Sequence, residues 1–203
     1  MGINLTKGGS VSLTKQAGGQ LNKVCFGLAW DPSDIPGVKF DLDASIFGLG
    51  ANGLVVAPEW FVFFNNLSSP GASIVHQGDE LTGDTEGDDE QIVVDLTALP
   101  GSVVSLPVYV CIFEAKKRAY ADPTDATKTV PLTFAKVPSA SVRIINEETG
   151  TELAKYDLTH DAASNANALH FGTLTRDAEG WSFTAVGEGT DGEIDGVVAK
   201  YGV

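Results

Sequence analysis

Apolar and polar positions alternate with a period of two along most of this chain, in short runs broken by glycine-rich turns, and that pattern predicts strands. The alternation is clearest over 140–145 and 169–174, where one face is expected to meet solvent. Residues 108–113 are instead almost continuously apolar, as in a strand covered on both sides. Enrichment in Val, Ile, Phe and Thr extends the reading to ten strands, at about 10–13, 24–30, 39–47, 60–64, 92–96, 105–113, 140–146, 152–156, 169–175 and 181–185. Helical patterning is confined to 95–99, 113–120 and 192–201, all short. Closely spaced strands with turn residues between them specify an all-β fold, a β-sandwich of two mainly antiparallel sheets with a few short helices. No linker rich in Pro, Gly or Ser divides the chain, so 1–203 reads as a single domain, with the polar stretch 121–129 around Pro123 as a surface excursion.

Composition sharpens this in one respect. With 203 residues, 43% hydrophobic and 20% charged, the chain can bury a substantial core. Its formal net charge of −14 opposes binding to nucleic acid, which needs a basic face, and suits a protein that collects cations. The N-terminal residues lack an apolar leader core and no run is long enough to span a membrane, which predicts a cytoplasmic protein with no integral membrane segment. Cys25 and Cys111 each sit in an apolar strand and are expected to be buried, reduced thiols.

The candidate chemistry is acidic. Residues 78–90 read Gly-Asp-Glu-Leu-Thr-Gly-Asp-Thr-Glu-Gly-Asp-Asp-Glu, with seven carboxylates and no base. Two like charges about 4 Å apart repel by roughly 4 kcal/mol in a partly screened site, so a fold that crowds these groups needs a cation. Gly83 and Gly87 let the backbone curl and turn oxygens inward. The donors are hard oxygens, with Thr82 adding a hydroxyl, which favours calcium with its six to eight irregular ligands over magnesium. Zinc or copper prefers His or Cys, and only His76 is close in sequence. The spacing is not that of an EF-hand: counted from Asp79 the third position is Leu81, and counted from Asp84 the sixth is Asp89. The plain alternative is a solvated acidic loop. Against it stand the glycine frame, the flanking strands, and two further segments that can meet the loop at one end of a sandwich. In a strand, Asp41 and Asp43 point to the same side, and Asn65 and Asn66, directly after the strand at 60–64, offer amide oxygens.

Other motifs fall away. Residues 48–53 spell a dinucleotide fingerprint, but the following Leu54, Val55, Val56, Ala57 and Pro58 do not open a helix. No nucleophile elbow, phosphate loop or zinc-protease motif is present, and His76, His160 and His170 are scattered. The expectation is a binding protein, not an enzyme. Two other readings of the same acids remain: a calcium-dependent membrane-targeting module, with Phe64, Leu67 and Leu81 at its rim, and a metal-assisted hydrolase.

The order of several strings carries a resemblance over nearly the whole chain. They are Phe-Asp-Leu-Asp-Ala-Ser at 40–45, Phe-Val-Phe-Phe-Asn-Asn at 61–66, the loop 78–90, Val-Arg-Ile-Ile-Asn-Glu-Glu-Thr-Gly-Thr-Glu at 142–152 and Trp-Ser-Phe-Thr-Ala-Val-Gly at 181–187. On these the chain is identified as a member of the TerD family of tellurite-resistance and stress-response proteins. The resemblance implies a cytoplasmic bacterial β-sandwich that binds two calcium ions. The ligands it implies are Asp41, Asp43, Asn65, Asn66, Asp79, Thr82, Glu86, Asp88, Asp89 and Glu90. The partners it implies are other tellurite-resistance or stress-response proteins, in complexes at the inner membrane face. Three loop positions depart from the family pattern: Glu80, often Asn; Thr85, often Gly; and Glu86, often Asp, whose extra methylene alters the bite on an ion. Residues 121–131 look like an insertion.

Overall fold

The computed structural model describes residues 2–84, 86–122, 124–157 and 165–203; Thr85, Pro123 and His160 lie outside the described residues. In chain order the elements are β1 (Ile3–Leu5), β2 (Ser10–Ser12), the single-turn α1 (Leu13–Gln16), β3 (Lys23–Trp30), β4 (Leu42–Phe47), β5 (Phe61–Val62), β6 (Ile74–His76), β7 (Glu90–Asp95), β8 (Ser105–Ile112), β9 (Tyr120–Ala121), β10 (Thr129–Val130), β11 (Ala140–Asn146), β12 (Thr151–Asp157), β13 (Ala168–Asp177), β14 (Gly180–Thr190) and α2 (Glu193–Tyr201). They form two six-stranded sheets, ordered β1-β12-β11-β3-β7-β6 and β2-β14-β13-β8-β4-β5, with β9 and β10 as a separate hairpin. The β1–β12 pairing is parallel and the other pairings described are antiparallel. The expected all-β sandwich is the observed one.

The two sheets close over a shared apolar interior in which Phe26, Leu28 and Ile92 meet Leu42, Ile46, Val108 and Phe183. Period-two alternation then decides what β4 shows on its other side. Leu42, Ala44 and Ile46 belong to the inter-sheet core, so Asp43, Ser45 and Phe47 face outward. That outer face is covered by α2. Phe47, Phe61, Tyr109 and Cys111 pack there against Val197 and Tyr201 as a second apolar cluster, and the Tyr109 and Tyr201 hydroxyls are 3.0 Å apart. The helix ends where Gly202 takes φ 77, the left-handed turn a glycine allows at no steric cost.

Several expectations are corrected by the local backbone and its contacts. The strand expected at 39–47 starts only at Leu42. The strand expected at 60–64 is reduced to Phe61–Val62: a 3-10 turn at Pro58–Trp60 precedes it, and Phe63 bridges back to Asn66 directly after it. The helix expected at 95–99 is a turn, because Asp95 Oδ1 accepts the Thr97 and Ala98 N–H groups at 3.0 Å each. The helix expected at 113–120 is also a set of turns, interrupted at Glu114 by a left-handed backbone with φ 46. The excursion at 121–129 is the far end of the β9–β10 hairpin. The helix expected at 192–201 is α2.

Phe183 is fully buried between the sheets. Phe183→Ala is expected to lower unfolding free energy by about 3–5 kcal/mol, the range for truncating a buried Phe, with an unchanged urea m-value; equilibrium urea denaturation followed by tryptophan fluorescence measures both.

Candidate metal centre

Among the described residues, acids are crowded together at the edge formed by β4 and β5 on one sheet and β6 and β7 on the other. Because β5 pairs with β4 only at Ile46 and Phe47, the β4 edge is open ahead of that point. The Ala44 N–H is satisfied from across the sandwich, by Glu90 Oε2 at 2.7 Å. Glu90 is the first residue of β7 and its inward alternation puts its side chain inside the fold, 1% exposed.

Around this bond stand three more carboxylates. Oxygens of Asp41, Asp43 and Asp79 lie within 4.8 Å of one another. Asp41 and Asp43 are each only 6% exposed, whereas Asp79 comes from the exposed start of the acidic loop. Burial, reinforced by Glu90, Asp41 and Asp79, pushes the Asp43 carboxyl up to about 9. Burial also raises Glu90, against His76 and the Ala44 N–H, and raises Asp41, against the pull of Arg118. These groups resist ionising together unless positive charge arrives.

Two bases border the cluster that sequence reasoning did not place there. Arg118 Nη1 donates to Asp41 Oδ2 at 3.0 Å while Nη2 donates to the Lys39 carbonyl at 3.1 Å. His76 Nδ1 accepts the Gly78 N–H at 3.2 Å, which puts the proton of a neutral ring on Nε2, facing Glu90 Oε2 at 3.5 Å. At that distance the contact is electrostatic and falls short of a formed hydrogen bond. No sequence signal marked Arg118, which reaches Asp41 from the turns after β8. His76 could have been found from its place in an apolar run next to the acidic loop.

Four buried side-chain atoms are left with no hydrogen-bond partner among the described residues: Asp41 Oδ1, Ser45 Oγ, His76 Nε2 and Glu90 Oε1. Orphaned buried acceptors are costly in an interior. Carboxylate oxygens without donors, beside other carboxylates, are the donor set a hard cation takes. The residues present therefore fit an oxygen-liganded cation, with Asp41, Asp43 and Asp79 able to hold it and buried Glu90 adding negative charge beside Asp43.

The other expected ligands are placed elsewhere. Asp88 lies on the outer face of the first sheet, its carboxylate 2% exposed and held by Arg143 through Nε to Oδ1 at 2.6 Å and Nη2 to Oδ2 at 3.0 Å. Gly27 makes this possible: a Cβ there would run into the Asp88 carboxylate. The chain then turns over the sheet edge, so Asp88 and Glu90 face different sides of it. Asp89 Oδ2 accepts the Trp30 N–H at 2.9 Å. The Thr82 hydroxyl donates to Glu80 Oε1 at 2.8 Å, and Glu80 Oε2 also accepts the Thr82 and Gly83 N–H groups. Glu80 thus folds the loop tip onto itself; burial opposes its ionisation, but these donors hold its carboxyl below the usual range. Gly83 is buried against the Trp30 ring with φ 71, a close approach no other residue would permit. The Asn66 amide donates to the Phe61 and Glu59 carbonyls at 2.6 and 3.3 Å. Asn65 and Glu86 are exposed, and Glu86 is not among the converging carboxylates.

A family model described as the TerD domain matches residues 1–201. A tellurium resistance protein TerD from Alcaligenes sp is 42% identical over 203 residues, spanning 100% of this chain and 98% of its own. General stress protein 16U of Bacillus subtilis (strain 168) is 40% identical over 204 residues, again spanning 100% of this chain and 98% of its own. The crystal structure of a homologue of telluride resistance protein (TerD) from Streptomyces coelicolor A3(2) matches with a TM-score of 0.67 at 24% identity, covering 88% of this chain and 96% of that one, a likeness of fold.

The buried acids give a pH dependence whose sign follows from linkage. Asp43 keeps its proton to about pH 9 in the folded chain and loses it near its ordinary value of 3.8 when unfolded. The folded state therefore binds more protons across that window, and stability falls as pH rises from about 4 to about 9. Urea denaturation in excess chelator is expected to show lower stability at pH 8 than at pH 5. A profile that rises or stays flat between them contradicts the cluster.

Proposed function

The chain belongs to the TerD family, and from that premise we propose that it is a calcium-binding, non-catalytic stress-response protein whose loaded loop surface is read by partner proteins. Relatives named for tellurium resistance and general stress support the setting. The observation that carries the cation is the convergence of Asp41, Asp43 and Asp79, together with the buried Asp41 Oδ1 and Glu90 Oε1 that have no donor among the described residues. Bound there, calcium would neutralise carboxylates that otherwise repel. Arg118 would keep Asp41 oriented through its second oxygen, and the Nε2–H of His76 would steady Glu90. Backbone carbonyls of the loop could complete the six to eight ligands calcium takes. The resemblance implies two ions; the described residues draw together carboxylates for one, so stoichiometry is the informative number. Among the described residues no helix is long and apolar enough to cross a membrane. The proposal places the protein in the cytoplasm, with other tellurite-resistance or stress-response proteins as its partners.

A second reading, calcium-dependent docking to anionic lipid, has one observation in its favour. Leu67 and Leu81, near the acid cluster, are 46% and 53% exposed. Co-sedimentation with phosphatidylserine vesicles in calcium and in chelator tests it: calcium-dependent pelleting supports docking, and none dismisses it.

Calorimetric titration of chelated protein with calcium and with magnesium tests the main proposal. Calcium at about a hundred times its dissociation constant is expected to add roughly 2.7 kcal/mol of stability, and magnesium much less. Asp43→Asn is expected to abolish the calcium response, whereas Asp88→Asn should leave affinity within about twofold and only loosen the Arg143 contact, by roughly 1–3 kcal/mol. A melting curve unmoved by calcium would sink the proposal. Loss of binding in Asp88→Asn would instead return that residue to the ligand set.

A further inference from the structure

On the outer side of β4 the Asp43 carboxylate opens into a cleft of about 220 Å³ between the turns after β8 and the start of α2. Its walls are apolar: Phe64 and Phe113 stand edge to face at 5.6 Å, with Ile194 opposite. Its rim is acidic, with Glu114, Glu193 and Asp195. Lys117 also stands on the rim, 77% exposed and ion-paired to Glu114 at 2.6 Å, so one positive charge sits among the negative ones.

Acids on a rim are by themselves only a solvated edge. The independent feature here is the floor. Asp43 is 6% exposed and lines the cleft, and among the described residues it accepts no hydrogen bond and forms no ion pair. The cleft thus combines aromatic and aliphatic walls with the buried Asp43 carboxylate and further acids beside it. It fits a long aliphatic stem carrying a terminal positive charge, whose methylenes lie along the rings while the charge reaches the floor.

We infer that this cleft is the receptor for a basic side chain, lysine or arginine, presented by a partner protein. This rests on the reading of the chain as a partner-binding protein and says what the partner offers. A chain with formal net charge −14 also favours a basic partner in the encounter. Because the same Asp43 belongs to the acid cluster, occupancy of the cleft and of the metal centre are thermodynamically linked: each changes the affinity of the other by the same factor.

The test uses the whole protein with isoleucine methyl groups labelled for NMR. N-acetyl-lysine methylamide is titrated in, with N-acetyl-norleucine methylamide as the same side chain without its ammonium. The lysine probe is expected to shift Ile112 and Ile194 with a dissociation constant on the order of millimolar, while norleucine leaves them unmoved. Ile194→Trp, which fills the shaft, should abolish the shifts, and Glu193→Gln should weaken binding by up to about fivefold. Equal shifts from both probes, or undiminished binding in Ile194→Trp, overturn the inference. So does tighter binding of cadaverine than of the lysine probe, which would make a free diamine the ligand. Calcium titration of the same sample separates the two proposals. A chain that ignores calcium but selects lysine keeps the cleft and loses the metal centre, and the converse keeps the centre alone.

Discussion

The hydrogen bond from the Ala44 N–H to Glu90 Oε2 decides much of this structure. β4 runs past its short partner β5 with its edge exposed to the interior, and an unmet N–H there would be expensive. A neutral acceptor would satisfy it equally well. The chain uses a carboxylate, and once that group is buried at the sheet edge the nearby positions become part of its electrostatics. Asp41, Asp43 and Asp79 crowd the same point, while His76 and Arg118 approach it from opposite directions. The fold accepts an interior that is unfavourable with every acid ionised.

The two arginines beside acids show how differently a guanidinium can act. Arg143 takes both oxygens of Asp88 in a fork and, with Gln91, leaves that carboxylate fully committed. Arg118 takes one oxygen of Asp41 and leaves the other buried and unmet. The first pairing fastens the end of the acidic loop to the outside of a sheet. The second orients a ligand without consuming it. Loop acids that look equivalent as a string of letters are thus sorted into paired anchors and members of the crowded cluster by what lies across from them.

Much of the fold was legible because long strands declare their period. β3, β8, β11, β12, β13 and β14 all lie where alternation or continuous apolar character put them, and α2 carries a helical pattern closed by Gly202. What stayed hidden was short or set by polar contacts. β1 and β6 have three residues each, fewer than two full alternations, and the helices expected at 95–99 and 113–120 were undone by the Asp95 side chain and the Glu114 backbone. The same division holds at the site. Asp41, Asp43, Asp79 and Glu90 were named from charge crowding and from the family resemblance; the structure brings the oxygens of the first three together and buries Glu90 against the Ala44 N–H. Asp88, Thr82 and Asn66 were named on the same grounds, yet their partners Arg143, Glu80 and the Phe61 carbonyl follow from which face each residue turns to. Sequence spacing does not encode that. Arg118 lies 77 positions from Asp41, and no local pattern could join them.

The short β5 has one more consequence. An open strand edge is where a foreign chain adds itself, and proteins usually guard such edges with charge or irregular backbone. Here the guard is the acid cluster itself, since an incoming strand would have to bury its backbone against several carboxylates. The acid cluster therefore opposes the addition of a further strand at this edge. Substitutions that strip its charge act on solubility as well as on binding, and the edge is least protected when those charges are neutralised.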